Sequence, residues 1–259
     1  MEKNEAEIIA ECLAKNYNIY VMNAGWLEKG NDFVKLSKYK EALDCYYKAL
    51  NNVNPEDFLS SFDYHYGSIL DSFMETKNTK DVLIRKGLLF AQFLVILISK
   101  DTVETLALAL SEGKKLGGDL EEKIARIEAK PDIVSSEIAL FYTGLVDRIS
   151  FNCLPDEQRN TFMLALCIGV EKVLPYFPCR NGILAKRQDE YNKIFSEEKE
   201  KTVKALFDKL GNSILIATGA PEDSIDVVDT IVMYGILFTA CMISFTWIPE
   251  SLPELLKEQ

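Results

Sequence analysis

The chain has 259 residues, of which 48% are hydrophobic and 27% charged, and its formal net charge is −11. This length allows a sizeable core, and this balance is typical of an ordered protein rather than a disordered one. The acidic excess argues against a nucleic-acid partner, because phosphate binding needs clustered Lys and Arg, whereas a basic protein segment is compatible with it. Long apolar periodic segments without β alternation predict an all-α fold, which we interpret as a single domain over residues 1–259.

The N-terminal segment MEKNEAEIIAE lacks a positively charged start followed by an apolar run, so no secretory signal is predicted. Helical spacing of apolar residues predicts a first helix over residues 5–16. The cysteines show no CxxC pair and no short regular spacing, which favours reduced, packed thiols of a cytoplasmic protein. They are Cys12, Cys45, Cys153, Cys167, Cys179 and Cys241.

The segment from Trp26 to Pro55 predicts two short antiparallel helices joined by a tight turn. Trp26, Gly30 and Phe33 fall on one face of the first helix, because residues three and four positions apart stack along a helix. Small residues at Gly30 and Ala42 predict a close approach of the two backbones. The second helix carries its apolar face on Ala42, Tyr46, Ala49 and Leu50.

This spacing resembles a tetratricopeptide repeat, whose signature is W-x2-L-G-x2-Y, then A-x3-F, then a closing Pro. The resemblance covers residues 23–56, with Lys29 where the family has Leu and with Pro55 one position late. It implies antiparallel hairpins stacked as an α-solenoid or as an irregular helical array. It also implies non-enzymatic binding of a protein or peptide, in an oligomeric state that the sequence leaves open.

In this family the first helix of each hairpin lines the concave surface, so the resemblance places four side chains toward a partner. These are Leu27, Asn31, Val34 and Lys35. Subfamilies that clamp the acidic tail of chaperones have Lys followed four residues later by Asn in this helix. Leu27 occupies the Lys position here, which argues against that partner. The same four residues are also compatible with an ordinary half-exposed helix face.

Periodicity predicts further helices along the chain, and one long loop. Asp101 with Glu104 reads as an N-cap that starts a new helix, and Gly117 with Gly118 stops it. Residues 166–178 echo the second repeat helix but lack a matching first helix, so a strictly periodic array is not predicted. The predicted helices are 56–75, 80–100, 101–116, 119–129, 133–151, 156–174, 182–195 and 196–210, and the loop is 211–224.

Catalytic motifs are not found in this sequence. His65 is the single histidine, which argues against a His-based triad and against a zinc site. Nucleotide-binding glycine loops and the hydrolase elbow are also missing. The acidic pairs Glu121–Glu122 and Glu197–Glu198 lie at charged helix starts, where solvated faces are expected. We therefore expect no enzyme activity, metal or cofactor, with an unrecognised enzyme on a helical fold as the alternative.

The last apolar run, residues 230–248, contains 19 residues without a charge inside a helix predicted over about 225–248. It would span roughly 28 Å, just enough for a bilayer core. Acidic residues lie on both sides, and Lys257 is the one flanking cation, which argues against a membrane anchor. We expect a buried core helix, and a tail anchor is the alternative. The side chains predicted to be buried are Ile231, Val232, Leu237, Phe238, Ile243, Phe245 and Ile248.

Overall fold

The computed structural model describes residues 24–36, 38–51, 79–174, 183–195 and 199–257. These residues form nine α-helices and one short 3-10 helix, and no strand occurs among them, so the all-α prediction is confirmed. The predicted helices 5–16 and 56–75, His65, Ser196 and the pair Glu197–Glu198 lie outside the described residues. The helices are α1 Ala24–Lys35, α2 Tyr39–Asn51, α3 Thr79–Leu116, α4 Gly118–Glu128, α5 Pro131–Cys153, α6 Asp156–Val173, α7 Ile183–Phe195, α8 Lys199–Thr218 and α9 Val227–Lys257, with the 3-10 helix at Glu222–Ser224.

Contact clustering divides the chain into two compact units. Unit 1 comprises the described residues up to Ile96, those from Leu145 to 174 and those from Ile248 onward. Unit 2 comprises residues 97–144 and the described residues between 183 and 247.

In unit 1, α1 and α2 form the predicted helix-turn-helix. Lys38 donates a backbone hydrogen bond of 2.9 Å to the Phe33 carbonyl in the turn between them. A Cβ atom added at Gly30 would lie 2.5 Å from Cε1 of Tyr46, so Gly30 does allow a close approach. The group that fills this space is the Tyr46 ring rather than Ala42, which is nevertheless fully buried.

The predicted break in α3 at Asp101 is wrong, because the helix runs without interruption for 38 residues from Thr79 to Leu116. Asp101 does not cap a helix start. It lies in the helix interior, fully buried, and forms an ion pair with the preceding residue, Lys100. Lys86 and Lys100, which flank an apolar run of this helix in the sequence, are both buried.

One further expectation in unit 2 is corrected. Residues 211–218 were expected in a loop, but they continue α8. Gly211 is a packing position, since a Cβ there would lie 2.9 Å from Cβ of Met233 on α9. The α4 helix exposes one face to solvent and buries four side chains on the other. They are Leu120, Lys123, Ile124 and Ile127.

An aromatic cluster forms part of the core of unit 2. The Phe141 ring on α5 lies 5.3 Å from the Tyr191 ring and 5.6 Å from the Phe207 ring, measured between centroids. Phe245 on α9 stacks on Phe141 at 6.0 Å. These tilted, edge-on and stacked contacts are favourable ring geometries and connect α5 to α7, α8 and α9.

Among the described residues, two helical segments are long and apolar enough to cross a membrane, judged by length and composition alone. They are α9 and residues 82–113 of α3. The two differ in burial, since 83% of the apolar window in α3 is buried and 39% of that in α9. The prediction that Ile231 and Ile243 are buried is wrong, because both are more than half exposed. Leu237 and Ile248 are fully buried as predicted. Val232, Phe238 and Phe245 are partly buried.

Candidate functional site

An open groove of about 720 Å³ lies in unit 2, between α7, α8, the 3-10 helix and the start of α9. Part of its lining is aliphatic and accessible to solvent. Ile216 of α8 is 42% exposed, and Val227 and Ile231 of α9 are 73% and 58% exposed. These three aliphatic side chains share one concave surface, which makes the groove the candidate binding site of unit 2.

The charged part of the lining is balanced between three cations and three anions. Lys209 forms a 3.0 Å ion pair with Glu190 across α8 and α7. Lys204 pairs with Asp208 and also lies 5.5 Å from the centre of the Tyr234 ring. The groove therefore combines an apolar surface with ionic groups that are already partly neutralised. Its charged lining residues are Lys186, Lys204, Lys209, Glu190, Glu222 and Asp226.

Cations on α4 hold the elements that form one wall of this groove. Lys123 donates hydrogen bonds of 2.6 Å to Asp229 and 2.7 Å to the Ser224 carbonyl. Hydrogen bonds to Asp119 and Asp229 raise the pKa of Lys123, so the buried ammonium stays charged. The 3-10 helix and the first turn of α9 are thereby fixed to α4.

The end of α8 is held by the same face of α4 and by Lys130, two residues after the end of that helix. Arg126 donates a 2.8 Å hydrogen bond to the Gly219 carbonyl, and Lys130 donates one of 2.8 Å to the Thr218 carbonyl. Carbonyl groups at a helix C-terminus have no partner within the helix, and cations are favourable there. Gly219, with φ of 108°, then turns the chain out of α8.

The first turn of α9 is closed by a reciprocal pair of caps. The Asp229 backbone N–H donates to the Asp226 carboxylate at 2.9 Å, and the Asp226 N–H donates to the Asp229 carboxylate at 3.0 Å. This is the geometry of a capping box, with Asp in both roles. It orients Val227 and Ile231 into the groove lining.

A second polar cluster lies inside unit 2, where α3, α5 and α9 meet. The Lys100 ammonium lies 2.6 Å from the Asp101 carboxylate and 3.3 Å from that of Glu104, and donates a 3.0 Å hydrogen bond to the Ala240 carbonyl. The Tyr142 hydroxyl donates to the other oxygen of Asp101. Lys100, Asp101 and Tyr142 are fully buried.

Burial raises the pKa of Asp101 to about 6, against the opposing charge of Lys100 and hydrogen bonds from Lys100, Tyr142 and Ser244. Burial also raises the pKa of Tyr142 and of the neighbouring Cys241 thiol. Protonated Tyr142 and Cys241 are poor nucleophiles, and the Lys100 amine already faces three oxygen acceptors. The arrangement links three helices and does not present a reactive group.

The residues predicted from the repeat resemblance lie on α1 in unit 1. Asn31 accepts a 2.6 Å hydrogen bond from the Tyr46 hydroxyl, and Lys35 forms an exposed 2.9 Å ion pair with Asp32. Val34 is partly buried, and the side chain of Leu27 lies outside what the structure describes. Whether these four residues contact a partner stays a prediction.

Sequence reasoning missed the groove, which is assembled from segments distant in the chain. One signal for its support was present, because Lys123, Arg126 and Lys130 recur at helical spacing after the Asp119 start. Of the acidic pairs, Glu121 and Glu122 are exposed, and Glu122 pairs with Arg126 at 2.6 Å. Within the described residues, no group of three potential metal ligands is found.

No protein-family model matches this chain, and searches of curated proteins and of solved structures return no match. The fold defines the class of this chain as an all-α protein.

Proposed function

We propose that this chain is a non-enzymatic, cytoplasmic helical module that binds a segment of another protein, and that the groove of unit 2 receives it. The observation that carries this proposal is the exposure of Ile216, Val227 and Ile231 within one concave surface. A groove with apolar lining and a charged rim suits an amphipathic helix, whose apolar anchors enter the groove while its polar face stays in water. The net charge of −11 favours a basic partner.

The hairpin of α1 and α2 supports a tetratricopeptide-like scaffold and offers a second surface. Asn31 and Lys35 are exposed on α1, as a partner-binding face requires. Their polar groups are already engaged, however, by Tyr46 and Asp32 respectively. Covering the aliphatic groups of the unit 2 groove gives a more favourable binding free energy than covering Asn31 and Lys35, because burial removes apolar area from water. The groove is therefore the first surface to test.

Selection from a displayed library of helical peptides tests the groove directly. The full chain is immobilised, and enriched peptides are measured by fluorescence anisotropy against the wild type, Ile216→Asp and Ile231→Asp. A charged side chain on the apolar lining should weaken binding by about tenfold or more. Leu36→Asp is the matched control, since Leu36 is an exposed aliphatic residue of unit 1. Equal binding by all four proteins, or no enrichment, would refute the groove as the site.

Attachment to a membrane through α9 is the second candidate. The low burial of its apolar window, 39%, favours this candidate. Against it, Asp229 is bound to Lys123, and the Ala240 carbonyl accepts from Lys100, so the start and the middle of this segment are engaged by protein. A helix that leaves for the bilayer would have to break both contacts.

Truncation after Asp229 separates the two candidates. A core helix predicts that the full chain is soluble without detergent and that the truncated chain aggregates. A membrane anchor predicts that the full chain floats with vesicles and that the truncated chain is soluble and helical by circular dichroism.

A further inference from the structure

The outward side of α9 forms an uncharged strip that begins at the groove. We call it the outer stripe, and its members recur three or four positions apart, so they lie on one side of the helix. Ile231 belongs to both the groove and the stripe, and Ile243 at the far end is 54% exposed. The outer stripe consists of Val228, Ile231, Gly235, Thr239, Ile243 and Thr246, all exposed.

The threonines of the outer stripe are less polar than their residue type suggests. Thr239 donates its hydroxyl hydrogen bond to the Gly235 carbonyl at 2.8 Å, and Thr246 donates to the Met242 and Ile243 carbonyls at 3.1 and 2.9 Å. Their donors are thus satisfied within α9. A Cβ added at Gly235 would meet nothing within 4 Å, so the stripe has an open, shallow centre.

Charge is distributed unevenly along this surface. Residues 230–248 contain no charged side chain, whereas exposed acids lie beyond both ends of the stripe, three at the groove end and Glu250 one turn past Thr246. From Val228 to Thr246 the helix rises by about 27 Å. Three lysines also line the groove, and two of them, Lys204 and Lys209, are paired with Asp208 and Glu190. A partner that covers the stripe therefore meets an apolar strip of this length with more exposed acids at the groove end than at the far end. The acids at the groove end are Glu222, Asp223 and Asp226.

We infer that the outer stripe binds an amphipathic α-helix with a continuous apolar face and a cluster of Lys or Arg at one end. The inference rests on the proposed function and names its partner: the helix enters the groove at Ile231 and follows α9 toward Ile243. Its basic end lies against Glu222, Asp223 and Asp226. A second copy of this chain fits less well because it carries the same net charge of −11, and an anionic membrane is repelled by the acidic end.

A designed peptide serves as the probe. It is an alanine- and leucine-based amphipathic helix of about 20 residues, which follows the stripe at 1.5 Å per residue, with four lysines at one end. The matched peptide carries four glutamates instead. We expect the lysine peptide to bind the full chain about tenfold or more tightly than the glutamate peptide at low salt, and less tightly as salt rises. Equal affinity of the two peptides overturns the inference.

Three variants of the full chain locate the site, and each is checked by circular dichroism. Ile243→Asp alters the stripe outside the groove, Ile216→Asp alters the groove alone, and Leu36→Asp is the control. Loss of lysine-peptide binding in Ile243→Asp supports the inference. Loss in Ile216→Asp with unchanged binding in Ile243→Asp overturns it and leaves the proposed function standing. Unchanged binding in both variants removes both proposals.

Charge reversal completes the test. Glu222→Lys with Asp223→Lys should weaken the lysine peptide and strengthen the glutamate peptide, a change of preference that loss of structure does not produce. Sedimentation and flotation with zwitterionic vesicles are run on the wild type and on Ile243→Asp. A dimer or a vesicle-bound form that Ile243→Asp abolishes would assign the stripe to a second copy or to a membrane, and either result overturns the inference.

Discussion

Lys123 donates a 2.6 Å hydrogen bond to Asp229, a residue 106 positions further along the chain. Both side chains are buried, and the contact joins α4 to the first turn of α9. A carboxylate in a first helical turn is favourable by itself, because it faces the positive end of the helix dipole. Because this carboxylate is also bound to the buried Lys123 on α4, it holds the first turn of α9 in place beside the groove.

We predict that Asp229→Ala lowers the free energy of unfolding by about 3 kcal/mol, the smaller end of the cost of leaving one buried charge unpaired. The smaller end applies because Lys123 retains Asp119 and the Ser224 carbonyl. Urea unfolding measures the change. Glu122→Gln is the control, since it breaks an exposed pair with Arg126 and should cost less than about 1 kcal/mol. Similar losses in both variants would show that the buried pair has no special role.

The raised pKa of Asp101 leads us to predict that its contribution to stability falls as pH rises. Burial raises its pKa from 3.8 to about 6 in the folded state, so the folded protein binds more protons than the unfolded chain between these values. This contribution to the unfolding free energy is therefore full below pH 3.8 and is lost as pH rises through about 6. The loss amounts to about 3 kcal/mol at 1.36 kcal/mol per pKa unit.

Comparison with Asp101→Asn isolates this effect, because other carboxylates titrate alike in both proteins. The stability of the wild type relative to Asp101→Asn should fall as pH is raised through this window, measured by urea unfolding at a series of pH values. A constant difference across the window would mean that Asp101 titrates as an ordinary carboxyl group.

At Gly30, helix propensity and packing predict opposite effects of an alanine substitution on stability. Propensity alone favours Gly30→Ala by up to about 1 kcal/mol. The added Cβ would lie 2.5 Å from the Tyr46 ring, however, so the ring must move. We expect Gly30→Ala to lower the melting temperature and Gly30→Leu to lower it further, since overpacking costs about 1 to 3 kcal/mol. Gly235→Ala, with open space around it, should instead raise it. An unchanged melting temperature in Gly30→Leu would contradict close packing of α1 on α2.

The α1 surface requires a variant that separates binding from stability. Asn31→Ala removes the acceptor of the part-buried Tyr46 hydroxyl, and we expect a loss of about 1 to 3 kcal/mol. Lys35→Glu affects an exposed pair and should change stability by less than about 1 kcal/mol. If α1 binds a partner, Lys35→Glu reduces its capture while the melting temperature stays near that of the wild type. Full capture by Lys35→Glu would remove Lys35 from the proposed surface.

Helix existence was predictable here because apolar periodicity is a local property. Pro131 and Pro155 mark helix starts that the structure places at Pro131 and Asp156. The breaks expected at Asp101 and Gly211 were wrong for a shared reason. A cap residue and a packing residue look alike in sequence, and the distinction lies in what another helix places beside them, Tyr142 in one case and Met233 in the other.

The face of α9 that points outward was not predictable from residues 230–248, because a segment without charges has no polar side to mark its exposed face. Ile231 and Ile243 were therefore assigned to the interior together with Leu237. The groove was hidden for a different reason, since its lining comes from α7, α8, the 3-10 helix and α9. Only the packed chain brings these segments to one place.

The separation of Lys123 from Asp229 also has a consequence during synthesis. At 5 to 20 residues per second, a ribosome needs about 5 to 20 s to add the 106 positions between them. Throughout that interval Lys123 has been made but its buried partner Asp229 has not. Residues of the last helix line the groove, so the groove is complete only after that helix has been made.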